Sequence, residues 1–298
     1  MKIDLHIHSS YSDGKYSVED ILNEARNRKI DLLSITDHDS LNSQLEAKAI
    51  ADKLNIKYIS GIELNVTFQY NEGILFDSSH QKSSEKTVSL DFLGYCYDIE
   101  NKDLRNKLEL IRNHRENRAK QILENLNNEF DKENIDRLTE EDMTRIQESV
   151  DGVFGRPHIA DYLIKKGIVG NRQEAFDRYL IRCNVPKYPL SLAEASKLIG
   201  NAGGILVLAH PNDPNGTSLS SISHDLYEQT SIIEEYMLEY IDGIECWHSR
   251  HDTETTRHYL DFTKNHGLLE TGGSDCHQNP VIMGTLDIPD YVAEQFQL

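Results

Sequence analysis

The chain has 298 residues, with 31 Lys+Arg against 50 Asp+Glu, a formal charge of −19 at pH 7 and 38% hydrophobic residues. This suffices for one large core, or a core with an inserted subdomain, and argues against wholesale disorder and against broad clamping of a nucleic-acid duplex. No apolar run reaches the ~18 residues of a membrane helix. The N-terminus enters a polar-alternating segment that leaves no room for a signal peptide, and Cys96, Cys183, Cys246 and Cys276 form no CxxC pair, so a cytoplasmic location is expected.

In chain order, Lys2–His8 alternates, with Ile3, Leu5 and Ile7 on one side and Asp4, His6 and His8 on the other, which predicts a strand. Ser17, with Asp20 three residues on, opens a helix running to about Lys29. Asp31–Thr36 reads as a second strand, Leu41–Leu54 as a helix and Lys57–Glu63 as a third strand; strand starts near 2, 31 and 57 have the spacing of βα units rather than hairpins. Residues 67–88 are polar and poorly patterned and predict a long loop, followed by a fourth strand at Ser89–Tyr95. Leu104, Leu108, Ile111, Arg115, Ala119, Ile122 and Leu126 recur at 3- and 4-residue spacing, a long amphipathic helix. Further helical pieces fall near 139–148, 157–166 and 172–180, and strands at Gly204–Ala209, Asp242–Cys246 and Gly267–Thr271. The pattern reads as an α/β barrel made of 1–99 and 187–298, interrupted by a mainly helical cap subdomain at 100–186.

The informative residues sit at the strand ends. His6 and His8 stand at i and i+2, so a strand points both to one side, roughly 6.8 Å apart along the chain. Asp13 follows in a loop; Thr36-Asp37-His38-Asp39 ends the second strand, Gly61-Ile62-Glu63 the third, and Asp91 lies on the fourth. Ala209-His210-Pro211 ends the fifth strand, and Gly273-Ser274-Asp275-Cys276-His277 follows the seventh. In a (β/α) barrel the C-terminal strand ends share one rim, where imidazoles and carboxylates make a transition-metal site without thiolates. Each piece alone has a plain structural alternative: an incidental HxH, a capping turn at TDHD, a satisfied histidine at AHP, a surface carboxylate at Glu63, an N-cap at Ser274-Asp275. Six separate strand ends bearing metal-competent residues are not accounted for in that way.

DLHIHSSYSDG at 4–14, TDHD at 36–39, GIE at 61–63, AHP at 209–211 and GGSDCH at 272–277 resemble the ordered motifs of the PHP (polymerase and histidinol phosphatase) family. The resemblance spans nearly the whole chain. It implies a distorted (β/α)7 barrel that holds two or three divalent ions (Mn, Fe or Zn) and hydrolyses phosphoester bonds. Residue by residue it implies a first ion on His6, His8, Glu63 and Asp275, a second sharing Glu63 with His210 and a residue of the fourth strand, and a third on Asp13, His38 and His277. Many relatives have a histidine in the fourth strand where this chain has Asp91, so an oxygen donor takes that place, or His80 of the preceding loop does.

Phe154-Gly155-Arg156-Pro157-His158-Ile159-Ala160 resembles the GRPHIA segment of a branch acting on nucleotides, as do Tyr179-Leu180, Pro186-Lys187-Tyr188 and Gly243-Ile244-Glu245. That branch includes enzymes removing the 3′-phosphate of nucleoside 3′,5′-bisphosphates and 5′→3′ exoribonucleases trimming short RNA. Arg156 and His158 are expected to be catalytic-site phosphate grips, because guanidinium binds phosphate oxygens in bidentate fashion, and the insertion is expected to act as a lid; the alternative for the pair is a helix N-terminus with Pro157 at N1 and a surface salt bridge. Lys187, Trp247 and His248 are expected as substrate contacts, although Trp247, His248 and His251 either stack on a base or merely line the rim. Asp37 is expected to be catalytic, as orienter of His38 or as proton shuttle. The expected reaction is hydrolysis by a metal-bound hydroxide, with no GxSxG nucleophile in the chain. The expected partner is a nucleotide or short single-stranded RNA, with no duplex and no membrane. The competing readings are a small-metabolite phosphomonoesterase, such as one for histidinol phosphate, and a non-catalytic metal-stabilised scaffold.

Overall fold

A computed structural model describes residues 1–71, 85–148 and 156–296. The chain is mixed α/β. β1 (Ile3–Asp4), β2 (Leu32–Leu33) and β3 (Lys57–Tyr58) form a parallel three-stranded sheet, joined by α1 (Val18–Asn27) and α2 (Gln44–Leu54). α1 starts where Ser17 accepts from the Asp20 amide. A five-stranded sheet follows in the order β4 (Gly61–Asn71), β5 (Glu85–Tyr95), β6 (Ile205–Leu208), β7 (Gly243–His248) and β8 (Leu269–Gly273). β4 and β5 are antiparallel, as are β5 and β6, whereas β6, β7 and β8 run parallel.

Two sequence expectations change here. The segment 57–63 divides between the two sheets, with Lys57–Tyr58 in one and Gly61 onward in the other. Residues 67–71 and 85–88 are strand rather than loop, in a long hairpin whose register carries Asn71 opposite Glu85. The reason is a period-2 pattern: Val66, Phe68 and Tyr70 are buried while Gln69 faces out, and antiparallel pairing satisfies the polar stretch that composition alone reads as irregular. His80 lies outside the described residues.

The sheets meet at isolated bridges, Ile7 with Cys276 and His38 with Glu63, and the Leu5 amide donates to Gly272 O at 3.1 Å. These bridges tie the ends of the short β1 and β2 to β8 and β4, where the functional residues sit. Ile3, Leu5, Leu32, Leu93, Tyr95 and Val207 form one buried cluster; α1 and α2 pack Ile21, Leu22, Ala47 and Ala51 against Leu33 and Ile35 in another.

The chain divides into two compact units, Met1–Asn106 with Leu190–Leu298, and Lys107–Pro189. The second is helical: most of α3 (Lys102–Glu133), then α4 (Glu140–Glu148), α5 (Arg156–Lys165), α6 (Arg172–Ala175) and a widened π turn at Phe176–Leu180. It has its own core of Leu126, Phe130, Ile159, Leu163, Tyr179 and Leu180. α7 (Leu192–Asn201), α8 (Leu226–Tyr236), α9 (Thr253–His266) and α10 (Tyr291–Glu294) complete the first unit. Among the described residues no helix is long and apolar enough to cross a membrane.

β8 passes so close to β1 that a Cβ on Gly273 would lie 2.3 Å from the His6 amide nitrogen and Cβ. Gly273→Ala is expected to destabilise the fold by roughly 1–3 kcal/mol through overpacking and to displace His6. Gly200, in α7, has nothing within 4 Å of such a Cβ, so Gly200→Ala is expected to be neutral or to stabilise by up to ~1 kcal/mol. Denaturant melts of both variants check the contrast.

Candidate metal centre

Five of the six predicted strand ends deliver their side chains to one buried cluster, and the fourth strand adds Asp91. The imidazoles form a chain of ring contacts: His277 to His8 with centroids 4.2 Å apart, His8 to His38 at 4.7 Å, His8 to His6 at 5.2 Å and His6 to His210 at 5.7 Å. Glu63 lies among them, with Oε2 3.2 Å from His8 Nε2 and 3.1 Å from His38 Nδ1, and Oε1 3.0 Å from His210 Nε2. Asp275 Oδ1 is 3.2 Å from His8 Nε2, and Asp13 reaches His8, His38 and His277 at 3.2–3.4 Å.

Burial and charge oppose each other at every group. Burial would neutralise His6, but Glu245, Glu63 and Asp275 outweigh it and hold its pKa well above the usual value. In the same way, against burial, carboxylates lift His8 and His210 to about 9. Burial would protonate Glu63 and Asp275, yet the surrounding histidines keep both well below the ordinary carboxylate range, and Asp13 likewise. Asp91 is the exception: burial and then Glu63 push it up to about 6.

These donors fit divalent ions. Three overlapping groups each place their ligand atoms within 4.8 Å of one another: His8, Asp13, His38 and His277; His6, His8 and Glu63; Glu63, Asp91 and His210. All donors are nitrogen or oxygen, a set that suits divalent cations without thiolate ligands. Asp91 stands in the third group, with one oxygen accepting from Asn65 Nδ2 at 2.6 Å and the other from the Thr217 hydroxyl. Two ligand candidates occupy left-handed backbone, Asp275 (φ 53°) and His210 (φ 26°), the sparsely populated geometry that concentrates at functional sites.

Other candidates are placed differently. Asp37 carries no hydrogen bond to His38; it accepts from the Ser9 amide at 2.7 Å and from the Ser9 and Ser12 hydroxyls, so it ties down the loop that leads to Asp13. Its carboxylate is used by serines one strand away, a pairing that sequence adjacency to His38 does not reveal. Trp247 points away from the histidines and packs edge-on against Tyr291, with the Leu93–Val292 cluster beneath it. His248, on the opposite face of β7, is buried with Nε2 3.5 Å from Asp275 Oδ2. In the helical unit, Arg156 donates to Leu180 O and lies over the Phe176 ring; His158 is half-buried on α5, and Lys187 is exposed.

Sequence reading missed three groups that build this centre. Glu245 Oε1 is 3.0 Å from His6 Nδ1, which fixes the proton there and aims Nε2 at His8, Glu63 and Asp275, and its Oε2 accepts from the His210 amide. Asp4 accepts from the Ser274 amide and hydroxyl and the Gly284 amide, and so positions Asp275. Asp213 groups with His248 and Asp275 and carries Arg250 on its second oxygen. A carboxylate on the His6 face of its strand (Asp4) and one at a strand end (Glu245) were the available signals.

The PHP domain family model matches residues 4–266. The chain is 28% identical over 292 residues to a 3′,5′-nucleoside bisphosphate phosphatase of Chromobacterium violaceum, covering 92% of this chain and 87% of that protein. It is 29% identical over 217 residues to a 5′-3′ exoribonuclease of Haemophilus influenzae, covering 70% of this chain and 69% of that one. A solved structure from Bifidobacterium adolescentis, described as a candidate metal-dependent phosphoesterase, superposes with a TM-score of 0.69 at 25% identity, covering 98% of this chain and 94% of the other.

The raised histidines set a pH dependence. A histidine held above its unfolded value of 6.5 stabilises the fold fully below that value, and the contribution is lost as pH climbs through about 9 for His8 and His210. The chelator-treated protein is therefore expected to melt at progressively lower temperature from pH 6.5 to pH 9. Saturating divalent metal is expected to remove that slope, because the ion takes the protons' place.

Proposed function

The chain belongs to the PHP domain family and is a metal-dependent phosphoester hydrolase, and on that premise we propose that it acts on nucleotides: a nucleoside 3′,5′-bisphosphate or the 5′ end of a short RNA. The observation that carries the reading is the set of three overlapping donor groups, linked through His8 and Glu63. Two or three ions on His6, His8, Asp13, His38, Glu63, Asp91, His210, Asp275 and His277 would balance the carboxylates that these donor groups bring together. We read the two sheets, bridged at Ile7–Cys276 and His38–Glu63, as one distorted (β/α) barrel with an inserted helical subdomain.

Divalent ions in such a site activate water and neutralise phosphoryl oxygens. This chain's own residues hold that site in shape. Glu245 fixes the tautomer of His6, Asp4 anchors the loop of Asp275, Asp37 anchors the loop of Asp13, and Asn65 and Thr217 hold Asp91. Arg156 and His158 are assigned to the non-reacting phosphate, because a guanidinium fork matches phosphate oxygens. The two curated relatives favour this reading over a small-metabolite phosphatase, and a complete donor set favours it over an inert scaffold.

Metal-loaded protein is expected to hydrolyse 3′-phosphoadenosine 5′-phosphate or 5′-phosphorylated oligoribonucleotides faster than p-nitrophenyl phosphate; the reverse order would overturn the substrate assignment. His6→Ala with His8→Ala is expected to abolish turnover. Asp91→Ala is expected to lose one ion equivalent, read by elemental analysis, while the others stay. Arg156→Ala is expected to lose roughly 2–4 kcal/mol of transition-state binding for a bisphosphate and far less for p-nitrophenyl phosphate. Melting temperature is read alongside, because Arg156 also bonds Leu180 O.

A further inference from the structure

The end of β7 carries a side chain that the three overlapping donor groups do not use. Where β7 pairs with β8, Glu245 faces Thr271 and Trp247 already faces Gly272, a bulge of one extra residue. Such a bulge shifts the period-2 alternation by one. His248 thereby joins Glu245 on the face of the histidine cluster, and Trp247 turns to the hydrophobic side. The His248 ring is 2% exposed, and its centroid lies 5.4 Å from that of His210 and 6.3 Å from that of His6.

The turn after β7 is pinned on both sides. The buried Asp213 accepts from the Arg250 guanidinium. His251 Nδ1 is 3.0 Å from Cys246 O, and its Nε2 accepts from the Asn212 amide at 3.4 Å. In the turn so held, the Arg250 amide donates to His248 Nδ1 at 3.3 Å. A backbone amide can only donate, so the neutral imidazole takes the tautomer with its proton on Nε2. Nε2 is therefore a buried donor, and among the described residues no atom accepts from it. Asp275 Oδ2 is 3.5 Å away, beyond an ordinary hydrogen bond. A buried donor left unsatisfied costs free energy that a ligand oxygen would recover.

Asp213, His248 and Asp275 are close enough to suggest a fourth cation site. The tautomer argues against it, because Nε2 carries a proton where a metal ligand needs a lone pair. Both Asp213 oxygens are also engaged, one by the Asn215 amide at 2.8 Å and one by Arg250. Nor does Asp275 need His248 to hold it: its own amide donates to His6 O at 2.8 Å, and Asp4 anchors Ser274. We propose that His248 Nε2–H is a hydrogen-bond donor to a non-bridging oxygen of the phosphoryl group under attack, and to inorganic phosphate after cleavage. An oxygen that both meets a cation and accepts from Nε2 needs lone pairs to spare. A phosphoryl oxygen has them, whereas a water molecule turns its protons outward from a cation. A donor fixed in place before the charge develops stabilises the transition state without any proton being transferred. The contact depends on phosphoester hydrolysis alone and holds for a nucleotide and a small metabolite alike.

Calorimetric titration of the full metal-loaded chain with inorganic phosphate reads this contact without turnover, and hydrolysis of p-nitrophenyl phosphate reads it during the reaction. His248→Leu removes the donor; it is expected to weaken phosphate binding about tenfold and to lower kcat roughly ten- to hundredfold. His248→Gln places an amide N–H within reach of the Nε2 position and is expected to recover most of both losses. His248→Asn keeps an acceptor for the Arg250 amide but is too short to replace Nε2, so it is expected to behave like His248→Leu. It carries the test if His248→Leu lowers the melting temperature. His248→Gln no better than the other two, or phosphate affinity unchanged in all three, overturns the proposal. So does the loss of one ion equivalent in His248→Leu, read by elemental analysis, with phosphate binding restored by excess metal. That result would make His248 a ligand or a support of Asp275.

Discussion

A single buried carboxylate sets the terms for the rest of the molecule. Glu63 is 1% exposed and faces four histidines, His6, His8, His38 and His210, at 3.0–3.5 Å. No one of these groups tolerates burial alone; a buried charge stays ionised only where opposite charges surround it. The cluster is therefore all or nothing, and protons or metal ions must supply the positive charge that balances Glu63, Asp13 and Asp275.

The fold meets this constraint by crowding chain ends together. The strands β1 and β2 are two residues each, and the useful side chains lie just beyond them, where isolated bridges hold the backbone to β8 and β4. Gly273 allows β8 to approach His6 without a side chain between them. Asp4, Asp37 and Glu245 then spend their hydrogen-bonding capacity on the loops and rings that carry ligands. Removing one of these buried carboxylates would leave its donors unsatisfied as well as freeing the ligand it positions.

Charge is partitioned at a larger scale in the same spirit. The unit with the donor cluster is strongly acidic, and the helical unit, with equal numbers of Lys+Arg and Asp+Glu, is neutral. An anionic substrate is repelled by most of the first unit's surface and attracted only where divalent ions or guanidinium groups reverse the potential locally. Such a distribution favours specific capture over adhesion to any polyanion.

The sequence by itself determined the ligand types and their grouping at strand ends. HxH, TDHD, GIE, AHP and GSDCH are local motifs, and an extended backbone puts His6 and His8, two residues apart, on one side whatever the partner strands are. The long amphipathic helix and the helical pieces near 139–148, 157–166 and 172–180 were legible too, because a 3.6-residue period is a property of the segment alone. Tertiary structure alone decided that 61–71 pairs with 85–95 rather than looping, that Asp37 serves Ser9 and Ser12, that Trp247 joins the hydrophobic cluster and that Glu245 orients His6. These are pairings between residues 14 to 239 positions apart or choices of strand face against distant neighbours, and no local period encodes which distant group a side chain will meet.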